Sequence, residues 1–108
     1  MDGPRNMFFE SEDERTALML AARAAGAAGS DHVAVIRLLL EDGRVPVNRR
    51  STTFGTALWW ACFLGHTERA RVLLLEGRAD HTIADEQGMT PMAAARELAR
   101  QDCIELLE

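Results

Sequence analysis

The residues of this chain that could bind a metal or attack a substrate are two cysteines, three histidines and one run of carboxylates. A zinc site draws thiolates and imidazoles from closely spaced pairs such as Cys-x-x-Cys. Here Cys62 and Cys103 are single, and His32, His66 and His81 are dispersed. The run Glu10-Ser11-Glu12-Asp13-Glu14 lacks the glycine and the ligand spacing of a calcium loop, so it reads as a solvated lead-in. No glycine-rich phosphate cradle, no Gly-x-Ser-x-Gly elbow and no carboxylate pair beside a nucleophile is present. The chain is therefore expected to be non-catalytic, without cofactor or metal. One polar pair stands out, Arg49-Arg50, whose adjacent guanidinia could grip an acidic peptide or a phosphate in bidentate fashion. The competing reading is ordinary solvated surface.

The elements that would carry these residues follow from a phrase repeated along the chain. It occurs as Thr16-Ala17-Leu18-Met19-Leu20-Ala21-Ala22, as Thr56-Ala57-Leu58-Trp59-Trp60-Ala61-Cys62, and as Thr90-Pro91-Met92-Ala93-Ala94-Ala95. The copies start at residues 16, 56 and 90, so 40 and 34 residues apart. A period near 33 marks stacked helical repeats. Each threonine is a good N-cap, and Pro91 suits a first helical position. The small residues that follow let a second helix pack close. That second helix shows its apolar side chains three and four apart, as in Val35, Leu38 and Leu39, or Ala70, Leu73 and Leu74. Gly43 and Gly77 fall where a helix end wants a residue at positive φ. The connections Arg44–Gly55 and Arg78–Met89 should form extended, hairpin-like fingers. Cys62 takes a small-residue position in an inner helix and Cys103 an apolar position in an outer one. Both are expected as buried, reduced thiols, unpaired because they belong to different repeats.

This pattern resembles the ankyrin repeat, Gly-x-Thr-Pro-Leu-His-x-Ala-Ala-x-x-Gly-His followed by an apolar helix and Leu-Leu-x-x-Gly-Ala-Asp. The second copy matches best, through Thr56, Leu58, Ala61, Gly65-His66, Leu73-Leu74, Gly77, Ala79-Asp80 and Asp85. The resemblance covers residues 11–108, in repeats of about 11–50, 51–84 and 85–108, and implies an all-α helical solenoid with short hairpin-like fingers. Residues 1–10 are a leader. Its Met7-Phe8-Phe9 either folds back as a cap on the first repeat or forms a tail with a sticky spot. The family's histidine is replaced by Met19, Trp59 and Ala93, which implies looser stacking than in a consensus array. Extra residues lie within 24–31, including Gly26, Ala27, Ala28, Gly29 and Ser30, and one more follows each of Gly43 and Gly77. The third copy ends inside its second helix, as a terminal repeat or a fragment edge would.

The resemblance also implies where a partner binds. Family members use finger tips and the inner helices' outward positions, here Phe63 and Leu64, just before Gly65-His66. Trp59 and Trp60 lie one turn earlier on that helix, and at least one should pack against a finger. These four side chains either form an aromatic binding shelf or fill space above small neighbours such as Ala93 and Ala94; for the tryptophans the core reading is favoured. The finger candidates are Arg49, Arg50, Thr52, Thr53 and Phe54 in the first finger, and Glu86, Gln87 and Met89 in the second. The implied function is a protein–protein interaction module for a protein or peptide. An inhibitory subunit covering an enzyme surface and a structural segment of a longer array are the alternatives, and homo-oligomerisation is open.

Composition fits this class. A chain of 108 residues makes one domain and about the fewest repeats that share a continuous core. A net charge of −5 with interspersed signs argues against general nucleic-acid or anionic-membrane binding. All twelve basic residues are arginine, which leaves no ε-amine for modification. No stretch approaches the ~20 apolar residues of a membrane span, and the first ten residues do not resemble a signal peptide. An intracellular, cytoplasmic or nuclear location is expected.

Overall fold

The computed structural model describes residues 16–24, 32–50 and 55–108. Its helices come in pairs. The first repeat contributes α1 (Ala17–Arg23) and α2 (His32–Asp42). The second contributes α3 (Ala57–Leu64) and α4 (Thr67–Arg71), which continues directly into a π-helical turn, Val72–Glu76. The third contributes α5 (Pro91–Glu97) and α6 (Gln101–Leu107). Helices α1, α3 and α5 stack as an inner row, and α2, α4 with its π turn, and α6 stack behind them. Among the described residues there is no strand. The fold is the all-α repeat solenoid that the sequence resemblance implies.

The inner helices begin alike because the same side chain starts each. The hydroxyls of Thr16, Thr56 and Thr90 accept from the amides of Met19, Trp59 and Ala93 at 3.1, 3.2 and 3.2 Å. Each bond satisfies a donor that the first helical turn leaves open. Pro91 occupies the first turn of α5, where a missing N–H costs nothing.

Their C-terminal ends differ. Gly65 closes α3 in the left-handed region (φ 77°), with Gly65 N donating to Cys62 O and His66 N to Ala61 O. This is a Schellman cap. Ala99 closes α5 in the same way (φ 55°), with Ala99 N on Arg96 O and Arg100 N on Ala95 O. Helix α1 instead ends on Ala24 in an extended conformation. The second repeat supplies its cap: Arg69 Nη1 donates to the carbonyls of Ala21, Ala22 and Ala24 at 3.2, 3.3 and 2.6 Å. Arg69 Nη2 also meets His32 Nδ1 at 3.2 Å. A guanidinium only donates, so that imidazole nitrogen accepts.

The outer helices correct one expectation. Gly43 follows α2 with the anticipated positive φ of 76°, but Gly77 sits at −91° and Arg78 takes the left-handed position at 55°. The π turn is the reason. Gly77 N bonds back five residues to Val72 O, which widens the last turn and moves the reversal one residue along. Gly77 is glycine for space: a Cβ there would lie 2.8 Å from Leu73 O and 2.9 Å from the Leu40 side chain of the preceding repeat.

The core runs without interruption through the stack. Leu18, Met19 and Ile36 of the first repeat, Leu58, Trp59, Val72 and Leu73 of the second, and Ala94, Ala95 and Cys103 of the third are all buried. Met19 and Trp59, at the family's histidine position, contribute apolar bulk there. Polar ties between neighbouring repeats come from elsewhere. Asn48 Oδ1 accepts from Asp80 N at 2.7 Å, Arg50 Nη1 donates to Ala84 O at 3.2 Å, and Arg37 makes a bidentate pair with Glu76 across the outer row.

The second finger is hairpin-like, as expected. Asp85 N donates to Met89 O at 2.8 Å, while the Asp85 carboxylate accepts from Gln87 N and Met89 N, both at 2.9 Å. Residues 1–15, 25–31 and 51–54 lie outside the described residues. That removes the Met7–Phe9 cap, the acidic lead-in and the first repeat's inserted glycines from structural description.

Candidate binding face

The inner row presents three repeat-equivalent positions to one side. At the offsets of 40 and 34 residues, Leu20, Trp60 and Ala94 correspond, as do Arg23, Phe63 and Glu97, and Ala24, Leu64 and Leu98. The middle repeat is the aromatic one. Phe63 stacks on Trp59 with ring centroids 4.8 Å apart and planes 12° from parallel. Trp60 meets both rings edge-on, at 5.2 and 6.5 Å. The Arg23 guanidinium of the first repeat lies 4.7 Å above the Trp60 ring, a cation–π contact that spans the junction.

This geometry separates the candidates. Trp59 and Trp60 are buried, at 3% and 8% exposure. Trp59 packs on the base of the first finger as expected: a Cβ at Gly55 would collide with its Cγ. Phe63 and Leu64 are half-buried, resting on the core with one side open. Exposed Leu20 and Leu98 flank them on the neighbouring inner helices. The result is a shallow apolar shelf on a stiff aromatic base, with Arg23 at one end and Glu97 at the other.

The finger candidates divide as well. Glu86 and Gln87 are exposed at the tip of the second finger, and Asp85 fixes that tip through four hydrogen bonds. Met89 instead turns inward and packs against the core. Arg49 and Arg50 are exposed, but Arg50 uses one donor to tie the first finger to Ala84 of the second. Thr52, Thr53 and Phe54 lie outside the described residues.

Electrostatics around the helix turns are set by arginines. Burial lowers the basicity of Arg69. His66 is held below the usual imidazole range, first by burial and then by the charges of Arg69, Arg100 and His32. Asp80 is held below the usual carboxylate range by hydrogen bonds from the Thr82 hydroxyl and amide. No group of three or more His, Cys, Asp or Glu side chains among the described residues is arranged to hold a metal ion.

Two arrangements escape the sequence reading. Arg69 sits at an apolar-face position of an outer helix, yet it is 3% exposed and caps a helix in another repeat. Arg100 does a related job one junction on, donating from Nε to Phe63 O at 3.1 Å. In addition, Cys62 and Cys103 are both buried free thiols, and Cys103 Sγ lies 3.5 Å from the Thr67 hydroxyl of the preceding outer helix. Repeat arithmetic relates the two outer positions: residue 103 is residue 69 moved by one 34-residue repeat.

Comparisons with known proteins agree with this architecture. A family model described as ankyrin repeats (3 copies) matches residues 3–85 and, in a second register, 26–108. The ankyrin repeat and KH domain-containing protein mask-1 of Caenorhabditis elegans is 36% identical over 96 residues, covering 89% of this chain and 3% of that protein. Among solved structures, the complex of the yeast ribosomal protein Rps3 with its chaperone Yar1 contains a similar chain. That chain has a TM-score of 0.73 at 26% identity, over 86% of this chain and 64% of that one. The chain thus spans a small part of the first relative and just under two thirds of the second.

Proposed function

Since the chain belongs to the ankyrin-repeat family, whose members are generally protein–protein interaction modules, we propose that it is a non-catalytic module that binds a protein through its inner-helix shelf and second finger tip. The observation that carries this reading is the half-buried Phe63–Leu64 pair, held on a rigid base of Trp59 and Trp60 and flanked by exposed Leu20 and Leu98. Preorganised aromatic and aliphatic anchors lose little entropy on binding and make effective interface centres. Arg23 and Glu97 at the two ends, with Glu86 and Gln87 above, suit a partner of mixed charge, and such rim charges set specificity more than affinity. The similar solved structure is a chaperone with its ribosomal protein, which supports a folded protein as partner.

The test is partner capture from the source cell on immobilised chain, identification by mass spectrometry, and titration of that partner. Phe63→Ala with Leu64→Ala should weaken binding about tenfold or more while circular dichroism stays unchanged. Leu75→Ala, on the exposed outer row, should leave affinity intact. A double variant that keeps both its fold and full affinity rules out this face.

A second reading, a segment of a longer array, has its own support. Val35 and Leu38 are exposed, although one repeat later their equivalents Arg69 and Val72 are buried against the preceding repeat. Among the described residues, the first repeat therefore leaves the apolar side chains of its outer helix exposed where the second repeat buries its own.

A further inference from the structure

We infer that the inner-helix shelf is polarised in charge and takes one amphipathic α-helix of its partner in a fixed direction, acidic end over the first repeat and basic end over the third. The inference rests on the protein-binding reading of this face and adds what the partner presents to it.

The polarity comes from repeat-equivalent positions. Arg23, Phe63 and Glu97 hold the same place in α1, α3 and α5, so a cation, an aromatic ring and a carboxylate follow one another across the stack. The fingers keep the same order of sign: the first carries exposed Arg49 and Arg50, and the tip of the second carries exposed Glu86. Neither end of the row is neutralised within the chain. Among the described residues, ion pairs join Arg37 to Glu76, Arg44 to Asp42 and Arg71 to Glu68, all away from the inner row. Arg23 faces the Trp60 ring instead, and Glu97 is exposed. The two arginines nearest Glu97 in sequence do not cancel it. Arg96 projects about 100° round the helix from it, and Arg100 turns back to donate to Phe63 O.

Spacing selects the partner's conformation. Packed helices lie about 8–10 Å apart, so the row from Arg23 to Glu97 runs about 16–20 Å. A helix rising 1.5 Å per residue crosses one step in about six to seven residues, close to two turns, and offers side chains from one face at each step. A strand crosses the same step in about three residues, an odd number that turns alternate side chains away from the shelf. The occupant is therefore a helix of about three to four turns, with an apolar anchor in its middle against Phe63 and Leu64. Stable helices carry acidic residues in the first turn and basic ones in the last. Such a helix matches the row when it runs from the first repeat to the third.

The experiment titrates the full chain with two labelled synthetic peptides of about four turns and follows fluorescence anisotropy. Both carry leucines in the middle and glutamates in the first turn. The mixed peptide has arginines in its last turn, and the acidic peptide has glutamates there too. The mixed peptide should bind about tenfold more tightly, with the gap narrowing as salt is raised. Glu97→Arg should reverse that order, whereas Glu41→Arg, the same change of charge on exposed outer helix α2, should not. A nitroxide on the amino end of the mixed peptide should broaden amide resonances of α1 and spare those of α5. Equal affinities, no binding of either peptide, the same response to Glu97→Arg and Glu41→Arg, or broadening shared by α1 and α5 would each overturn the polarity. The shelf itself is read separately: Phe63→Ala with Leu64→Ala should weaken both peptides, and unchanged binding of both would remove the protein-binding reading of this face along with the inference.

Discussion

The two junctions of this stack use the same backbone geometry and different chemistry. Between the first and second repeats, a buried guanidinium reaches back to three carbonyls at the end of α1. Between the second and third, the equivalent outer-helix position carries a thiol, and α3 ends on its own left-handed glycine. A helix end can be closed locally, by a residue able to take positive φ, or remotely, by donors from a neighbour. In the local solution the cap and the junction are separate features. In the remote one they are the same feature, so α1 depends on the second repeat for its own completion.

Replacement of Arg69 should therefore have the largest effect. Arg69→Met keeps most of the stem's volume but leaves buried carbonyls without donors, and should cost about 3 kcal/mol in urea unfolding. Arg69→Lys should recover only part of that, because an ammonium cannot spread its donors as a planar fork does. The local caps should respond less. Gly65→Ala places a Cβ in the left-handed region, 2.9 Å from the Arg100 side chain, and should cost about 1–2 kcal/mol. Its mirror image is a gain: Ala99→Gly relieves the strain of alanine at φ 55° and should add about 0.5–1 kcal/mol. Both are measurable as shifts of the denaturation midpoint. Arg37→Ala, which breaks the exposed pair with Glu76, should barely move the denaturation midpoint, and move it less as salt is raised.

The smallest effect should be one of pH. His66 lies near both junction arginines, and its folded pKa is depressed by burial and by their charge. The unfolded chain binds a proton near pH 6.5 while the folded chain still resists it. Stability should therefore be full above that pH and decline as pH falls through it. A His66→Gln variant should show a flatter melting profile between pH 7.5 and 5.5.

Much of this molecule is legible in its sequence because much of it is local. Thr16, Thr56 and Thr90 announce the inner helices, and each caps its helix through a bond to a residue three positions on. The finger around Asp85 is likewise set within five residues. What escapes the linear reading is held across repeats. Arg69 resembles any surface arginine until residues 21–24 are brought to it, and Cys103 meets the Thr67 hydroxyl only when two repeats stack. The π turn hides for a different reason: one extra residue in Val72–Glu76 carries no sequence mark, yet it moves the positive φ from Gly77 to Arg78. The shelf is intermediate. Its aromatic residues are visible as types, but their division into buried Trp59 and Trp60 and half-open Phe63 depends on the neighbouring helices.

The inner-helix shelf draws one row of side chains from each repeat, so it exists only while the junctions hold. Hydrogen exchange of Arg69→Met against the wild-type chain tests that dependence most directly. The amides of Leu20 and Ala24, bonded to Thr16 O and Leu20 O within α1, should lose protection, while those of Ala94 and Ile104 in α5 and α6 keep theirs. Equal loss along the chain, or unchanged protection in α1, would contradict the assignment of the first junction to that guanidinium.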